Sequence, residues 1–309
     1  MKDVVVIGAG AAGLTAALYA LRAHLDVMVI EKGIYGGQFS IADDIENYPG
    51  MESVSGMELS QKMYNQVKNM GCKFLFQEVK EVDLKGEIKI LKTSDKIIKS
   101  KTVIIANGLK RRNLGCKGEE EFLGKGVSYC ATCDGAFFKN EDVIIVGGGN
   151  TALHNAIYLS NICNKVFIAV RGKSLNAENY LIDSISKKNN VKILFNYNVH
   201  EVHGNSKKVE SVTLKENLNG EKRNINGSGV FIAIGYEPNN TIYEGQIDMD
   251  KQGYFISDES CKTNISGVYV AGDCRKKQLR QITTAVSDGA IAGTMAIDYI
   301  LENMNVLNM

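Results

Sequence analysis

Residues 4–13 read VVVIGAGAAG, and with the helix and strand patterns just beyond them they decide the fold. Four β-branched residues, Val4 to Ile7, lead into G-x-G-x-x-G at Gly8, Gly10 and Gly13. LTAALYALRAH then continues with apolar residues at helical spacing, and VMVIEK comes next as a second strand that ends on Glu31. Strand, glycine turn, helix, strand and acidic residue stand in the order of a dinucleotide-binding unit, with the acid roughly 20 residues past the loop. The glycines permit a tight turn and let a pyrophosphate approach the helix N-terminus, while a carboxylate at Glu31 accepts hydrogen bonds from ribose hydroxyls.

The pattern recurs. DVIIVGGGNTALHNAIYLSN starts at residue 142 and leads into KVFIAVRG, so Gly147, Gly149 and Ala152 form G-x-G-x-x-A between a strand and a helix. Two such units predict two nucleotide-binding folds in one α/β chain. Between the two glycine loops, residues 130–135 read CATCDG. Two nucleotide sites and a redox-capable dithiol suggest an electron relay from a reduced donor through a flavin to a disulfide.

The other cysteines do not compete with this reading. The seven stand at 72, 116, 130, 133, 163, 261 and 274. An odd number, scattered along a long chain, argues against a disulfide framework. Only 130 and 133 are near neighbours, and a zinc ribbon needs a second such pair. The histidines at 24, 154, 200 and 203 do not supply it, because His200 and His203 lie in VHEVHG, which alternates like a strand. No metal site is expected, and the remaining five cysteines read as buried small hydrophobes or inert thiols.

With 309 residues, 44% of them hydrophobic and 23% charged, the chain is long enough for about two domains with real cores. A formal net charge of +1 gives no global pull toward nucleic acid or an acidic membrane. DVVVI begins a strand directly after the start, with no basic n-region or small-residue cleavage site, and runs such as VIIVG are far too short to span a bilayer. The expectation is a cytoplasmic protein with neither a nucleic-acid nor a membrane partner.

Together these motifs resemble the low-molecular-weight thioredoxin reductases, a family of flavoprotein disulfide reductases. The resemblance covers essentially the whole chain. It rests on GAGAAG (8–13), GGQ (36–38) with ENYPG (46–50), CATCDG (130–135), GGGNTA (147–152), and GVYVAGD with RQ (267–273, 280–281), in the family's order and spacing. It implies an α/β fold of two Rossmann-like, three-layer domains, with the FAD domain discontinuous and the dithiol domain inserted. Residues 1–112 and 239–309 would bind FAD, and residues 113–238 would form the NAD(P)H-binding-like domain with the CxxC. The resemblance places Gly8, Gly10 and Gly13 at the FAD pyrophosphate and Glu31 at the adenosine ribose. Gly36, Gly37, Gln38 and Asn47 would line the flavin, Asp273 would hold the ribityl or pyrophosphate part, and Arg280 and Gln281 would lie beside the isoalloxazine. It also implies a homodimer. One departure stands at Ala106-Asn107-Gly108, where the family has ATG. An asparagine tolerates left-handed geometry at a turn, so the fold is expected to survive it.

For the dithiol the resemblance implies three roles. Cys133 would be the sulfur near the flavin, Cys130 the interchange thiol that attacks a thioredoxin-type disulfide, and Asp134 the acid or base for the thiol proton. The plainer role for Asp134 is a turn or helix-capping carboxylate. A rival class, a flavin-binding sensor with a structural CxxC, would show no turnover with a protein disulfide. The donor is a separate question. The family's NADPH-using members carry HRRxxxR after the second glycine loop, and its arginines grip the 2′-phosphate. Here VRGKSLN (170–176) keeps only Arg171, with Val170, Gly172 and Asn176 at the other motif positions and Lys173 as a point charge. NADH would call for an acidic residue at this strand end, and there is none. The sequence thus leaves three donors: NADPH, NADH, or a protein. The protein donor, resembling the ferredoxin-dependent flavin thioredoxin reductases, is favoured. A basic cluster, Arg275, Lys276, Lys277 and Arg280, adjoins the flavin motif and would suit an acidic ferredoxin.

Overall fold

The structure is a computed structural model and describes residues 1–42 and 44–306. The chain forms two compact units, one from residues 1–110 and 237–309 and one from residues 111–236.

In the first unit, Lys2–Ile7 lies between two parallel neighbours, Val27–Glu31 and Ile97–Ile105, with Val6 opposite both Val29 and Ile104. Lys73–Phe76 extends the sheet beyond Val27–Glu31, and Val268–Val270 runs parallel to Ile97–Ile105 with Val270 beside Ile105. Two antiparallel strands, Lys89–Lys92 and Glu81–Asp83, finish the other edge. Because both faces are covered, the central strand is apolar without a break from Val4 to Ile7. Val4 and Val6 join the core on one face, Val5 and Ile7 the core on the other.

Helix Ala11–Arg22 packs against the C-terminal helix Ile282–Val306. That contact depends on missing side chains. A Cβ on Gly289 would lie 2.2 Å from the Ala12 carbonyl oxygen, and one on Gly293 would lie 2.9 Å from that of Ala16. The close approach buries Ala12, Ala16, Ala20, Ala292 and Ala296 together.

In the second unit, Asp142–Val146 is flanked by parallel strands Lys165–Val170 and Gly229–Ile232, with Val191–Phe195 and Val127–Ser128 outside them. Helix Asn150–Ser160 buries Ala152, Leu153, Ala156 and Leu159 against this sheet. Three antiparallel strands, Tyr197–Gly204, Val209–Glu216 and Lys222–Asn226, form a separate sheet. VHEVHG is part of the first of these, interrupted by a register shift between Val199 and Glu201. The strands where the chain passes between units, Leu109–Arg111 and Tyr236–Pro238, pair with each other. Among the described residues no helix is long and apolar enough to cross a membrane.

Candidate active site

The first glycine loop is built to stay tight. Gly8 has φ +104°, and a Cβ there would come 2.3 Å from the Ala106 carbonyl oxygen. A Cβ on Gly13 would lie 1.9 Å from the Gly8 carbonyl oxygen. Gly10 caps helix Ala11–Arg22 without a side-chain hydrogen bond, so the first-turn amides carry no side-chain cap. Such a helix end suits a phosphate. Glu31 is fastened to the loop, with Oε2 accepting the Ala9 amide at 2.8 Å and Oε1 accepting the Gly33 amide at 2.8 Å. Each carboxylate oxygen retains a further lone pair for a hydroxyl donor.

The remaining residues expected at the flavin fall into contacts of their own. Gly36, with φ +96°, donates its amide to the Ala9 carbonyl at 2.8 Å, and Gly37 comes next with φ +64°. Gln38 donates to the Leu109 carbonyl at 2.8 Å. Asn47 and Gln281, 234 residues apart, meet through a 3.2 Å hydrogen bond. Arg280 donates to the Asp273 carbonyl at 3.3 Å and lies 4.2 Å over the ring of Tyr254, a residue that carries no sequence motif. Asp273 sits in the turn Gly272–Cys274, which abuts the first helix, since a Cβ on Gly272 would be 3.0 Å from that of Ala12. The Asp273 Oδ1 atom is buried and has no hydrogen-bond partner. Burial pushes this carboxyl's pKa up, against the opposing pull of Lys277 and Arg280. Buried acceptors are normally satisfied, so an open one beside a glycine cradle fits the hydroxyl donors of a dinucleotide.

The basic cluster is not a surface patch. Arg275 donates to both carboxylate oxygens of Asp288 at 2.8 Å, Lys277 donates to Oδ2 at 2.8 Å, and the Gly272 amide donates to Oδ2 at 2.9 Å. Asp288 is 4% exposed. Of the four basic residues only Lys276 is exposed. A charge run read along the sequence looks solvated, but here a carboxylate one helix later turns it inward. The sequence does carry one sign of this: Asp288 stands alone among the small residues of AVSDGAIAG.

Asn107 also departs from expectation. The left-handed residue of its turn is Gly108, with φ +61°, and not the asparagine. The Asn107 side chain instead donates to the Asn239 carbonyl and to Asn240 Oδ1, both at 3.0 Å.

In the second unit, Cys130 and Cys133 form a disulfide with Cα atoms 5.3 Å apart. Cys130 caps the short helix Ala131–Asp134, and its Sγ accepts the Cys133 amide at 3.2 Å. An amide donated to this sulfur favours its thiolate once the bond is reduced. Ser128, which carries no sequence motif, accepts the Cys130 amide at 3.0 Å and donates to Asp134 Oδ2 at 2.6 Å. One hydroxyl therefore fixes both the cysteine backbone and the carboxylate. Tyr129 donates to the buried Glu119 at 2.6 Å, and Glu119 also accepts the Leu114 and Gly115 amides. Burial and Glu119 raise the Tyr129 phenol pKa, so it remains a donor at neutral pH. The other five cysteines are free thiols; Cys274 is buried and its thiol is pushed up to about 12 by burial.

The second glycine loop keeps its turn. Gly147 has φ +137°, and a Cβ there would lie 2.2 Å from the Ala233 carbonyl oxygen. Gly149 caps helix Asn150–Ser160, and Ala152 is fully buried beneath it. The strand end differs from the first unit. Ile7 pairs with Ile30 in one sheet and Val146 with Ala169 in the other, so Glu31 and Val170 occupy matching positions. Where Glu31 holds a loop amide, Val170 packs its methyl groups on Gly148, 2.8 Å from where a Cβ would stand. Arg171, Gly172 and Lys173 are exposed, and Asn176 stands two residues beyond Ser174 at the same strand end.

A sequence profile of the pyridine nucleotide-disulphide oxidoreductases matches residues 2–289. Thioredoxin reductase from Listeria innocua is 43% identical over 300 residues, covering 97% of this chain and 94% of that protein. The crystal structure of Lactococcus lactis thioredoxin reductase in its FR conformation superposes with a TM-score of 0.89 at 37% identity, covering 98% of this chain and all of that one. A ferredoxin-flavin thioredoxin reductase from Clostridium acetobutylicum gives a TM-score of 0.54 at 30% identity, covering 97% of this chain and 98% of that one.

Proposed function

Because this chain belongs to the FAD-dependent thioredoxin reductases of the pyridine nucleotide-disulphide oxidoreductase family, we propose that it passes two electrons through FAD in its first unit to the Cys130–Cys133 disulfide, and from there to a thioredoxin-type protein. The observation that carries this reading is the Cys130–Cys133 disulfide with Asp134 held beside it by Ser128. Bound FAD supplies the two-electron relay between donor and disulfide.

The rest is done by the chain's own groups. Reduced Cys130, as thiolate, attacks one sulfur of the partner disulfide, forming a mixed disulfide and releasing the other partner sulfur as thiolate. Cys133, as thiolate, then attacks Cys130 Sγ. The bond between Cys130 and Cys133 re-forms, and the second partner thiolate leaves. Asp134 accepts and returns the thiol proton between these steps. In the first unit, Gly8, Gly10 and Gly13 with the helix N-terminus would receive the pyrophosphate and Glu31 the ribose. Glu31→Ala is expected to raise the FAD dissociation constant by roughly ten- to a hundredfold, the range of about 1.5–3 kcal/mol for a hydrogen bond to a charged group. Flavin fluorescence on dilution of the holoprotein reads this, and an unchanged constant would remove Glu31 from the site.

We infer that the donor is a ferredoxin-type protein. The supporting observation is Val170 at the position where the first unit keeps Glu31, together with Gly172 and Asn176 where a 2′-phosphate clamp would stand. A second reading, NADPH or NADH, has its own support in the intact turn at Gly147 and Gly149 with Arg171 and Lys173 nearby. Anaerobic flavin bleaching with NADPH, NADH and reduced ferredoxin, each offered alone, separates these readings. Two missing charge-assisted contacts of about 1.5–3 kcal/mol each should weaken NADPH on the order of a hundredfold or more. Gly172→Arg with Asn176→Arg is expected to speed NADPH-driven reduction and leave ferredoxin-driven reduction unchanged. Rapid bleaching of the unmodified protein by micromolar NADPH would overturn the ferredoxin assignment.

A further inference from the structure

We propose that Asn107 is a further cofactor-binding residue, whose side-chain oxygen accepts a hydrogen bond from a hydroxyl or ring N–H of FAD. The proposal rests on FAD binding by the first unit. Asn107 borders the glycine loop, because a Cβ on Gly8 would lie 3.2 Å from its Cα. Its amide orientation is fixed by a chain of acceptors. Asn240 is 3% exposed and its Nδ2 donates to the Gly253 carbonyl at 2.9 Å and the Cys274 carbonyl at 3.2 Å. That turns Asn240 Oδ1 toward Asn107, whose Nδ2 donates to it and to the Asn239 carbonyl, both at 3.0 Å. Flipping the Asn107 amide would set its oxygen against two acceptors, so the oxygen must be the free end.

That free oxygen is buried and has no partner. Among the described residues only two buried side-chain polar atoms are in this condition, Asn107 Oδ1 and Asp273 Oδ1. They belong to one end of one sheet. Asn107 lies just past Ile97–Ile105 and Asp273 just past Val268–Val270, adjacent parallel strands with Ile105 beside Val270. Ligands of open α/β sheets bind at the carboxyl ends of strands. Two open acceptors there call for donors, so this part of the site faces the hydroxyl and N–H groups of the cofactor and not its phosphates.

The test uses the holoprotein. FAD release on dilution gives the dissociation constant, and urea midpoints are taken with and without saturating FAD. Asn107→Ala is expected to raise the dissociation constant roughly tenfold, and to lower the FAD-saturated midpoint more than the FAD-free one. If Asn107→Ala does not fold, Asn107→Leu, similar in size and without an acceptor, carries the same expectation. A dissociation constant within about twofold of wild type, with both midpoints falling equally, would make Asn107 purely structural and overturn the proposal. If the wild-type protein neither retains nor binds FAD, the FAD reading of the first unit fails, a result distinct from failure of the variant alone.

Discussion

Cys130→Ser is expected to abolish reduction of a thioredoxin-type disulfide while leaving the bound flavin reducible by its donor. The attacking group in disulfide exchange is a thiolate, and serine has no comparable anion at neutral pH. Removing the nucleophile outright lowers turnover on the order of a thousandfold or more in enzymes that depend on one. Cys133→Ser should behave differently. It keeps the thiol whose sulfur accepts the backbone amide of position 133 and should accumulate a mixed disulfide with the partner, because nothing remains to resolve it. Turnover assays paired with non-reducing electrophoresis distinguish the two. Normal turnover in Cys130→Ser, or trapping of the partner by that variant and not by Cys133→Ser, would exchange or remove these roles.

Asp288→Asn is expected to destabilise the first unit by about 3–5 kcal/mol, the range for breaking a buried ion pair and leaving its partner uncompensated. Arg275 and Lys277 have side chains 12% and 9% exposed, so neither reaches bulk water easily once the carboxylate is gone. Urea unfolding at saturating FAD measures the loss, and a change below about 1 kcal/mol would show that water screens the pair as it does at a surface. The same pair makes stability depend on pH. Burial pushes the Asp288 pKa up, but hydrogen bonds from Arg275 and Lys277 and their charges outweigh it, so the folded value lies below the ordinary one. The unfolded chain therefore binds this proton more readily. The contribution is complete above the unfolded value, about 3.9, and drains away as pH falls through the lower folded value. Asp288→Asn should show less of this acid sensitivity than the wild type.

The two glycine loops were legible in the sequence because everything that makes them is local: a β-branched run, glycines where a Cβ has no room, and a helix directly after. The dithiol was legible for the same reason, and its disulfide closes over three residues. What was not legible depends on residues far apart. Asp288 and Arg275 are 13 positions apart on different elements, and although its small neighbours set Asp288 apart, no spacing rule pairs it with Arg275. The run Arg275, Lys276, Lys277 therefore reads as a docking patch until the helix folds back on it. At Asn107 the sequence points only to backbone tolerance, but the residue's contribution lies in side-chain bonds to Asn239 and Asn240, 132 and 133 residues later. Ser128 carries no motif, and only the turn of the chain before Cys130 brings its hydroxyl to Asp134. The Glu31–Val170 correspondence needed the strand registers of both sheets to become visible as one position occupied twice.

The contact of Gly289 and Gly293 with Ala12 and Ala16 also sets an order of events during synthesis on the ribosome. The first helix is made before residues 111–236, an insertion that carries its own sheet and its own core, yet the surface that covers it is made after them. The inserted unit has all its strands in hand once residue 236 is made, whereas the first unit still lacks Val268–Val270 and the C-terminal helix. Domains fold as units as their sequence becomes available, and unpaired strands and bare apolar faces invite aggregation meanwhile. The nascent protein thus carries a complete middle unit while its first segment, bearing the first glycine loop, still waits for Val268–Val270 and the C-terminal helix.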